Sequence, residues 1–103
     1  MSTFCMVLTS ARGATPAKII EALLSKQLAA CIQSMPVRSH YVWQGVLRDE
    51  AEELLIIKAK LADWLDVEQA IRAVHDYDTP EILRFDIDAG SESYLEWMTK
   101  VTR

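Results

Sequence analysis

The chain has 103 residues, half of them apolar and a quarter charged, with a formal net charge of −4. This composition is typical of a globular protein, excludes a disordered chain, and argues against a nucleic-acid partner, which would need basic patches. No apolar run approaches the ~20 residues of a membrane span, and the N-terminus lacks the basic segment of a signal peptide. We therefore expect one domain over residues 1–103, located in the cytoplasm, with Cys5 and Cys31 as reduced thiols.

The first half of the chain predicts a strand followed by a helix. Residues 3–9 are short, apolar and partly β-branched, as in a buried strand. Thr15 is predicted to cap the following helix, with Pro16 at its first position, where a missing N–H costs nothing. Apolar residues then recur at helical spacing and give this helix one apolar face: Ile19, Ile20, Leu23, Leu24 and Leu28.

A long hairpin is predicted next. The strand from Cys31 to Trp43 alternates, with one side carrying Cys31, Gln33, Met35, Val37, Ser39, Tyr41 and Trp43. Gln44-Gly45 predicts a two-residue turn, because Gly tolerates the positive φ that such hairpins need. The returning strand from Val46 to about Leu61 begins with an acidic run, 49–53, expected to be a solvated rim that repels phosphate. Its apolar middle, Leu54–Ile57, is expected to be covered on both faces.

The second half repeats the order of strand and helix signals. Asp63 is predicted to cap a helix with an apolar stripe of Trp64, Val67, Ile71 and Val74. A strand follows over 82–87, with Leu83, Phe85 and Ile87 facing one way. A last helix starts near Ser91–Ser93, where Ser93 and Glu96 have capping-box spacing.

These elements predict an α+β fold, the ferredoxin-like βαββαβ sandwich, with a long hairpin between its second and third strands and a C-terminal helix. In such a sandwich the helices cover one sheet face and leave the other bare. The bare face would carry Met35, Val37, Tyr41 and Trp43, and an exposed apolar patch with free strand edges indicates a partner. We therefore expect a homo-oligomer.

The segment 75–81, called the joint below, connects the second predicted helix to the fourth strand. It carries an imidazole, a phenol, three carboxylates and a proline, more chemistry than a simple connector needs. Pro80 holds Thr79 away from helical angles, so the chain leaves the joint extended. A segment of definite shape with these groups is a candidate site.

Five segments occur together in the order and spacing of a known family. They are Leu28–Ile32, Tyr41–Gly45, Leu55–Lys58, the joint residues His75, Tyr77, Thr79, Pro80 and Glu81, and the segment Tyr94–Trp97. They resemble CutA, the divalent-cation tolerance proteins, over nearly the whole chain. The resemblance implies a ferredoxin-like subunit, a homotrimer in which long hairpins pair across subunits, and a link to copper and other divalent metals.

The resemblance also implies roles for single residues. Cys31, His75 and Glu81 match the family positions expected to bind metal. Trp43, Lys58, Tyr77 and Trp97 match positions near the intersubunit cleft. The chain departs from the family at Gln33, at Asp76, and in the stretch from Cys31 to Trp43, which lacks a Gly after Pro36 and is one residue shorter. The shortened stretch is expected to shift a bulge and re-aim Cys31.

Each of these assignments has a purely structural alternative. Cys31 is either a soft ligand suited to Cu(I) or, in the structural alternative, a small buried core residue. His75 is either a metal ligand or a residue at the C-terminus of a helix that the helix dipole stabilises. Lys58 pairs with Glu81 or faces an anionic ligand. Tyr77 and Trp97 either stack on a ligand or line a subunit interface without any ligand.

No two of these candidate ligands have the short sequence spacing of a local metal site. Any metal site built from them must therefore combine residues of different subunits. The sequence contains no nucleophile–base pair, paired-carboxylate spacing or nucleotide-binding glycine loop, so we expect no enzyme activity. The leading hypothesis is a trimeric protein of the response to divalent metal ions that binds copper weakly. The alternatives are a small-molecule sensor like the trimeric PII signalling proteins, with a ligand in the intersubunit cleft, and an assembly scaffold for another protein.

Overall fold

The structure is a computed structural model that describes residues 3–103. It contains four strands and three helices in the predicted βαββαβα order: β1 Phe4–Ala11, α1 Thr15–Ser25, β2 Cys31–Trp43, β3 Val46–Lys60, α2 Trp64–Val74, β4 Ile82–Ile87 and α3 Glu92–Val101. A single 3-10 turn, Leu61–Asp63, connects β3 to α2. No helix within 3–103 is long and apolar enough to cross a membrane.

The strands form one antiparallel sheet in the order β2-β3-β1-β4. The ferredoxin-like α+β prediction is therefore confirmed. Helices α1 and α2 cover one face, where alternate strand residues such as Val7, Leu55 and Ile57 are fully buried. Burial of this apolar surface is the main stabilising contribution to the fold. The apolar stripes predicted for both helices face this core, except that Leu24 is exposed.

The helix starts differ from the predicted caps. Thr15 is the first residue of α1 rather than its cap, and its buried hydroxyl hydrogen-bonds Asp76 Oδ1 at 3.3 Å. Ser91, not Ser93, precedes α3, so the predicted capping box is wrong. Asp63 does precede α2, but its side chain makes no capping bond and accepts from Arg103 instead. For Thr15 and Asp63, a tertiary partner engages the side chain that local sequence assigned to a helix end.

The hairpin is longer than the rest of the sheet. Strands β2 and β3 pair without interruption from Cys31 opposite Lys58 to Trp43 opposite Val46. The expected bulge is therefore absent from this pairing, and Pro36 is accommodated because β2 is an edge strand. Gln44 and Gly45 have positive φ of 50° and 76° and make the predicted two-residue turn.

Strand β1 ends well before the hairpin does. Its pairing with β3 stops at Ala11 opposite Glu53, so residues 46–52 of β3 have no neighbouring strand on that side within residues 3–103. At the opposite end, α3 contacts β3 through Tyr94, which lies beside Lys58 on the face that α1 and α2 leave uncovered, and Met98 is fully buried. Between these ends Leu54 and Ile56 are only partly buried, so the expected coverage of both faces holds for one face alone.

Candidate functional site

The joint lies beside the part of β3 that extends beyond β1. Together they border an open groove of about 680 Å³ at the root of the hairpin. Side chains of Ser39, Tyr41 and Trp43 on β2 lie on the same sheet face as Arg48, Glu50 and Glu52 on β3, because opposed residues of paired strands share a face. This groove, bounded by β2, β3, the end of β1 and the joint, is called the hairpin groove below.

The shape of the joint depends on His75. Its side chain is only 1% exposed and both ring nitrogens are engaged. The backbone N–H of Tyr77 donates to Nδ1 at 3.2 Å, and Nε2 lies 2.9 Å from the Ser10 carbonyl oxygen. Since Nδ1 accepts, Nε2 carries the proton and donates to Ser10. The imidazole thus fixes the joint to the end of β1, and in this arrangement it has no lone pair free for a metal.

Tyr77 extends from the joint to the hairpin. Its hydroxyl donates to Glu52 Oε2 at 2.6 Å, and the Arg12 guanidinium lies over its ring, 5.4 Å from the centroid. Burial raises the pKa of Tyr77 well above its ordinary value, and the adjacent Glu52 carboxylate raises it further. Arg12 in turn pairs with Glu50 at 3.4 Å. These contacts connect the joint, β1 and β3 through polar side chains.

Glu52 is the residue whose environment the sequence predicted wrongly. It belongs to the acidic run expected to be a solvated rim, yet it is buried and accepts the Tyr77 hydroxyl. The alternation of β3 shows that the acidic run divides between two sheet faces. Glu50 and Glu52 share a face with Tyr41, whereas Asp49 faces the other way and pairs with Arg38 at 2.7 Å. Sequence could not show which of these faces the joint would cover.

The seven predicted site residues fall into two groups. Trp43, Tyr77 and Glu81 line the hairpin groove, and His75 supports it from behind. Cys31 and Lys58 lie opposite each other at the far end of the sheet, and Trp97 lies on α3 at that same end. Lys58 is six residues from Glu52 along β3, about 20 Å at 3.3–3.4 Å per residue.

The far group forms an aromatic cluster rather than the predicted ion pair. Lys58 Nζ lies 5.4 Å from the ring centroid of Tyr94, which is 5.5 Å from the centroid of Trp97. Tyr94 and Trp97 are 37% and 41% exposed, so this cluster lies at the surface rather than in the core. Within the described part of the chain Lys58 makes no ion pair with Glu81, because β1 lies between β3 and β4 and Glu81 precedes β4.

The three predicted metal ligands are therefore not brought together within one chain. Cys31 is partly exposed at the far end, Glu81 lines the hairpin groove, and His75 is buried behind it. Residues 3–103 contain no group of three or more His, Cys, Asp or Glu side chains that could hold a metal ion. Cys5 is buried in the core, and burial raises the pKa of its thiol.

The fold and its motifs match one family over almost the full length. Residues 4–101 match the CutA1 divalent ion tolerance protein family. The chain belongs to this family. It is 33% identical over 86 residues to the divalent-cation tolerance protein CutA of Pyrococcus horikoshii, covering 84% of each chain. It is 37% identical over 87 residues to the chloroplastic CutA of Arabidopsis thaliana, covering 84% of this chain but spanning only about half (48%) of that relative's length.

Solved CutA1 structures have the same architecture. CutA1 of Pyrococcus horikoshii has a TM-score of 0.92 at 29% identity, with 96% of this chain and 98% of that chain covered. Oryza sativa CutA1 has a TM-score of 0.93 at 32% identity, with 99% and 95% covered. These CutA1 relatives are similar in both sequence and fold, so the sequence resemblance is confirmed.

Proposed function

We propose that this protein is a homotrimer that acts in tolerance of divalent metal ions, without enzymatic activity, and that it binds copper weakly. The observation that carries the proposal is family membership, since residues 4–101 match a family of divalent ion tolerance proteins. We further propose that residues 1–103 form one domain that works in the cytoplasm. Relatives are described as chloroplastic or periplasmic, so the compartment differs among family members.

The exposed apolar surface of the hairpin supports self-association. Near its turn, Val42 and Leu47 are 67% and 76% exposed, and Trp43 lies beside them. The backbone of β3 over 46–52 also has an edge that no other strand within residues 3–103 pairs, which favours addition of another strand. The hairpin of a second copy supplies both a strand and an apolar surface. Hairpins that pair across subunits would therefore both cover the apolar side chains and pair the free edge of β3.

Copper binding is proposed at Cys31, with ligands from more than one copy. A thiolate is a soft ligand for Cu(I), and Cys31 is partly exposed, unlike Cys5. His75 would join the ligand set only by giving up its bonds to Ser10 and Tyr77. A site with one thiolate per chain and no preformed cluster within residues 3–103 is expected to be weak.

Calorimetric titration with Cu(I) under reducing conditions tests this proposal. We expect binding to the wild-type protein, weaker binding to Cys31→Ser, and unchanged binding to Cys5→Ala, which removes the buried thiol. His75→Ala tests the imidazole in the same assay. Unchanged affinity in Cys31→Ser and His75→Ala would remove both residues as ligands, and no copper binding by the wild-type protein would refute the metal assignment.

The hairpin groove favours a second candidate function, a small-molecule sensor resembling the PII proteins. Trp43, Tyr77 and Glu81, predicted from sequence, line one groove of a size that fits a small ligand. Lys58 and Trp97 lie at the other end of the same subunit, so they would join an intersubunit cleft at this groove only from a neighbouring copy. Thermal-shift screening against metals and against small molecules separates the two functions, because a ligand that binds only the folded protein raises its melting temperature.

A further inference from the structure

Helix α3 is held to the subunit by few apolar contacts. Met98 is the one buried residue among the ten of α3, whereas α1 has four buried residues and α2 has three. Helices shorter than about 12–15 residues are marginal in water without packing. The docking of α3 therefore depends on contacts that the helix itself does not make.

These contacts lie just beyond the C-terminal end of the helix. Thr102 is buried and extended, and its hydroxyl donates to the Met98 carbonyl oxygen at 2.7 Å. Within residues 3–103 the side chains of α3 form no ion pair with another strand or helix, and their hydrogen bonds stay inside the helix. Residues 102–103, called the strap below, supply the polar attachment that α3 lacks.

Arg103 connects the strap to the opposite layer of the subunit. Its N–H donates to the Gln27 carbonyl oxygen at 3.0 Å, and its main-chain oxygen accepts from Lys60 Nζ at 2.8 Å. Its guanidinium donates to Asp63 at 3.2 Å and also to Asp66 in the first turn of α2. Because Gln27 follows α1 and Lys60 ends β3, the strap passes from the uncovered sheet face around the end of the sheet to the helix layer.

The end of α1 is shaped to accept the strap. Gln27 has a φ of 55°, the left-handed conformation that glycine usually supplies after a helix. The Leu28 N–H donates to the Leu23 carbonyl oxygen at 2.9 Å and closes the helix there. The Gln27 carbonyl oxygen thus lies outside the helix, where the Arg103 N–H reaches it.

The ion pairs of the strap lie away from the surface assigned to neighbouring copies. Asp66 belongs to the helix layer, on the other side of the sheet, and its side chain and that of Arg103 are 55% and 48% exposed. Salt screens such pairs, and each contributes little. The strap can therefore open without unfolding of the core, as a local opening.

The docked helix adds to the uncovered side of the subunit. Lys58 on β3, Met6 on β1 and Phe85 on β4 lie opposite one another and share this face. The Tyr94 ring lies beside Lys58, and Trp97 lies beside Tyr94. Aromatic side chains are enriched in subunit interfaces, so docked α3 extends the apolar surface that a second copy would cover.

We propose that the strap controls self-association by keeping α3 docked on the uncovered sheet face. Ion pairs on the helix side of the subunit then determine how tightly copies bind on the other side. This proposal rests on the proposed homotrimer and names a control of its assembly.

Hydrogen exchange of the α3 amides tests the strap. Arg103→Gln removes both ion pairs and keeps the main-chain bonds of residue 103. Exchange in α3 should become about twofold to tenfold faster, the effect of losing two exposed ion pairs, while the amides of β1 keep their wild-type rates. Unchanged exchange in α3 would overturn the proposal, as would equal acceleration in β1, which would mean general destabilisation.

Arg72→Gln is the matched control. Arg72 lies on α2, its side chain is 56% exposed, and it pairs with Glu68 of the same helix. The substitution makes the same change in net charge as Arg103→Gln but should leave α3 exchange unchanged. Equal acceleration in both variants would exclude the strap as the cause. Added sodium chloride should accelerate α3 exchange in the wild type more than in Arg103→Gln, and an equal response would exclude the ion pairs.

Sedimentation velocity over a range of concentrations tests the control of assembly. Only copies with docked α3 are competent to associate, so apparent affinity falls with the docked fraction. Self-association should weaken in the order wild type, Arg103→Gln, Arg103→Asp. The aspartate should cost about threefold to tenfold, because two like-charge contacts replace two ion pairs. Arg72→Asp should associate as the wild type does.

The outcomes separate failure of the strap from failure of the homotrimer. Equal self-association in the wild type, Arg103→Gln and Arg103→Asp would refute the control by the strap and leave the trimer standing. A wild-type protein that remains a single chain would refute the homotrimer, and the proposed control would fail with it.

Discussion

The two ends of the hairpin differ although they belong to the same two strands. Where β3 lies between β2 and β1, beneath α1 and α2, Leu55 and Ile57 are fully buried. Where β3 extends beyond β1, Val46 and Leu47 are exposed, one strand edge is unpaired within residues 3–103, and polar side chains gather beside the joint. One chain therefore buries its apolar side chains in a core at one end of the hairpin and leaves apolar side chains exposed to solvent at the other.

The difference teaches that apolar sequence has two uses in this protein. Leu55 and Leu47 are the same residue type on the same strand, yet only Leu55 meets a helix layer. Burial of Leu55 stabilises the subunit, whereas burial of Leu47 requires another copy. Substitutions that separate subunit stability from self-association test this distinction.

The largest effect is expected in the completed core. Leu55→Ala should lower the free energy of unfolding by about 2–5 kcal/mol, the usual cost of a large-to-small change at a fully buried site. Chemical denaturation measures the loss. Leu65→Ala is the matched control, because Leu65 is 70% exposed on α2 and should change stability by less than about 0.5 kcal/mol. Equal losses would contradict the assigned core.

A charge near the hairpin turn should act on assembly instead. Leu47→Asp places an ionised group on the surface that the account assigns to neighbouring copies. Self-association should weaken by about tenfold to a hundredfold, since burying an unpaired polar group costs about 1–3 kcal/mol. Sedimentation velocity over a range of concentrations measures the shift. Leu65→Asp, on a similarly exposed leucine, should leave the assembly intact, and an unchanged assembly in Leu47→Asp would break the comparison.

The contact between Tyr77 and Glu52 joins the hairpin to the joint and should contribute a smaller amount. Tyr77→Phe leaves Glu52 buried without its donor and should cost about 1–2 kcal/mol at neutral pH. Tyr94→Phe is the control, since Tyr94 is partly exposed and its ring contacts persist in phenylalanine. A loss in Tyr94→Phe as large as in Tyr77→Phe would exclude the Glu52 bond as the cause.

The same pair predicts a dependence on pH. The pKa of Tyr77 is raised in the fold by burial and by Glu52, so the folded form retains the proton where the unfolded chain loses it. The stabilisation by Tyr77 is complete below about pH 10, the ordinary tyrosine value, and declines as the pH rises further. Denaturation of wild type and Tyr77→Phe should therefore converge in alkali, and a constant difference would contradict the shift.

The smallest effect is expected from exposed ion pairs. Arg103 contacts Asp63 and Asp66 beside α2, whereas Arg38 pairs with Asp49 on the hairpin. Alanine in place of either arginine should change the free energy of unfolding only slightly, because water screens such pairs. Denaturation with and without added salt measures both. A larger loss at Arg38 that added salt abolishes would mean that the hairpin is held by charge rather than by apolar contact.

The periodic parts of the fold were predictable from sequence. The structure has the strand that alternation predicted over 31–43, the helices α1 and α2 that apolar spacing predicted, and the turn predicted at Gln44-Gly45. Each of these patterns depends only on local geometry. The helix starts were less predictable because the side chains of Thr15 and Asp63 have partners distant in sequence, Asp76 and Arg103. Local patterns contain no information about such partners.

The candidate site was only partly predictable for the same reason. The joint was identified from its composition, and its titratable groups do border a groove. The role of Glu52 depends on which face of β3 meets the joint, and the separation of Cys31 from His75 depends on strand order. Both are tertiary facts that spacing along one chain does not determine.

Mass measurement of the purified protein tests the central claim most directly. The claim is that the uncovered hairpin and sheet face of one subunit are buried by two further copies. Light scattering at micromolar concentration should give three times the 11.7 kDa of one chain. A stable particle of 11.7 kDa that neither associates nor aggregates would contradict the account.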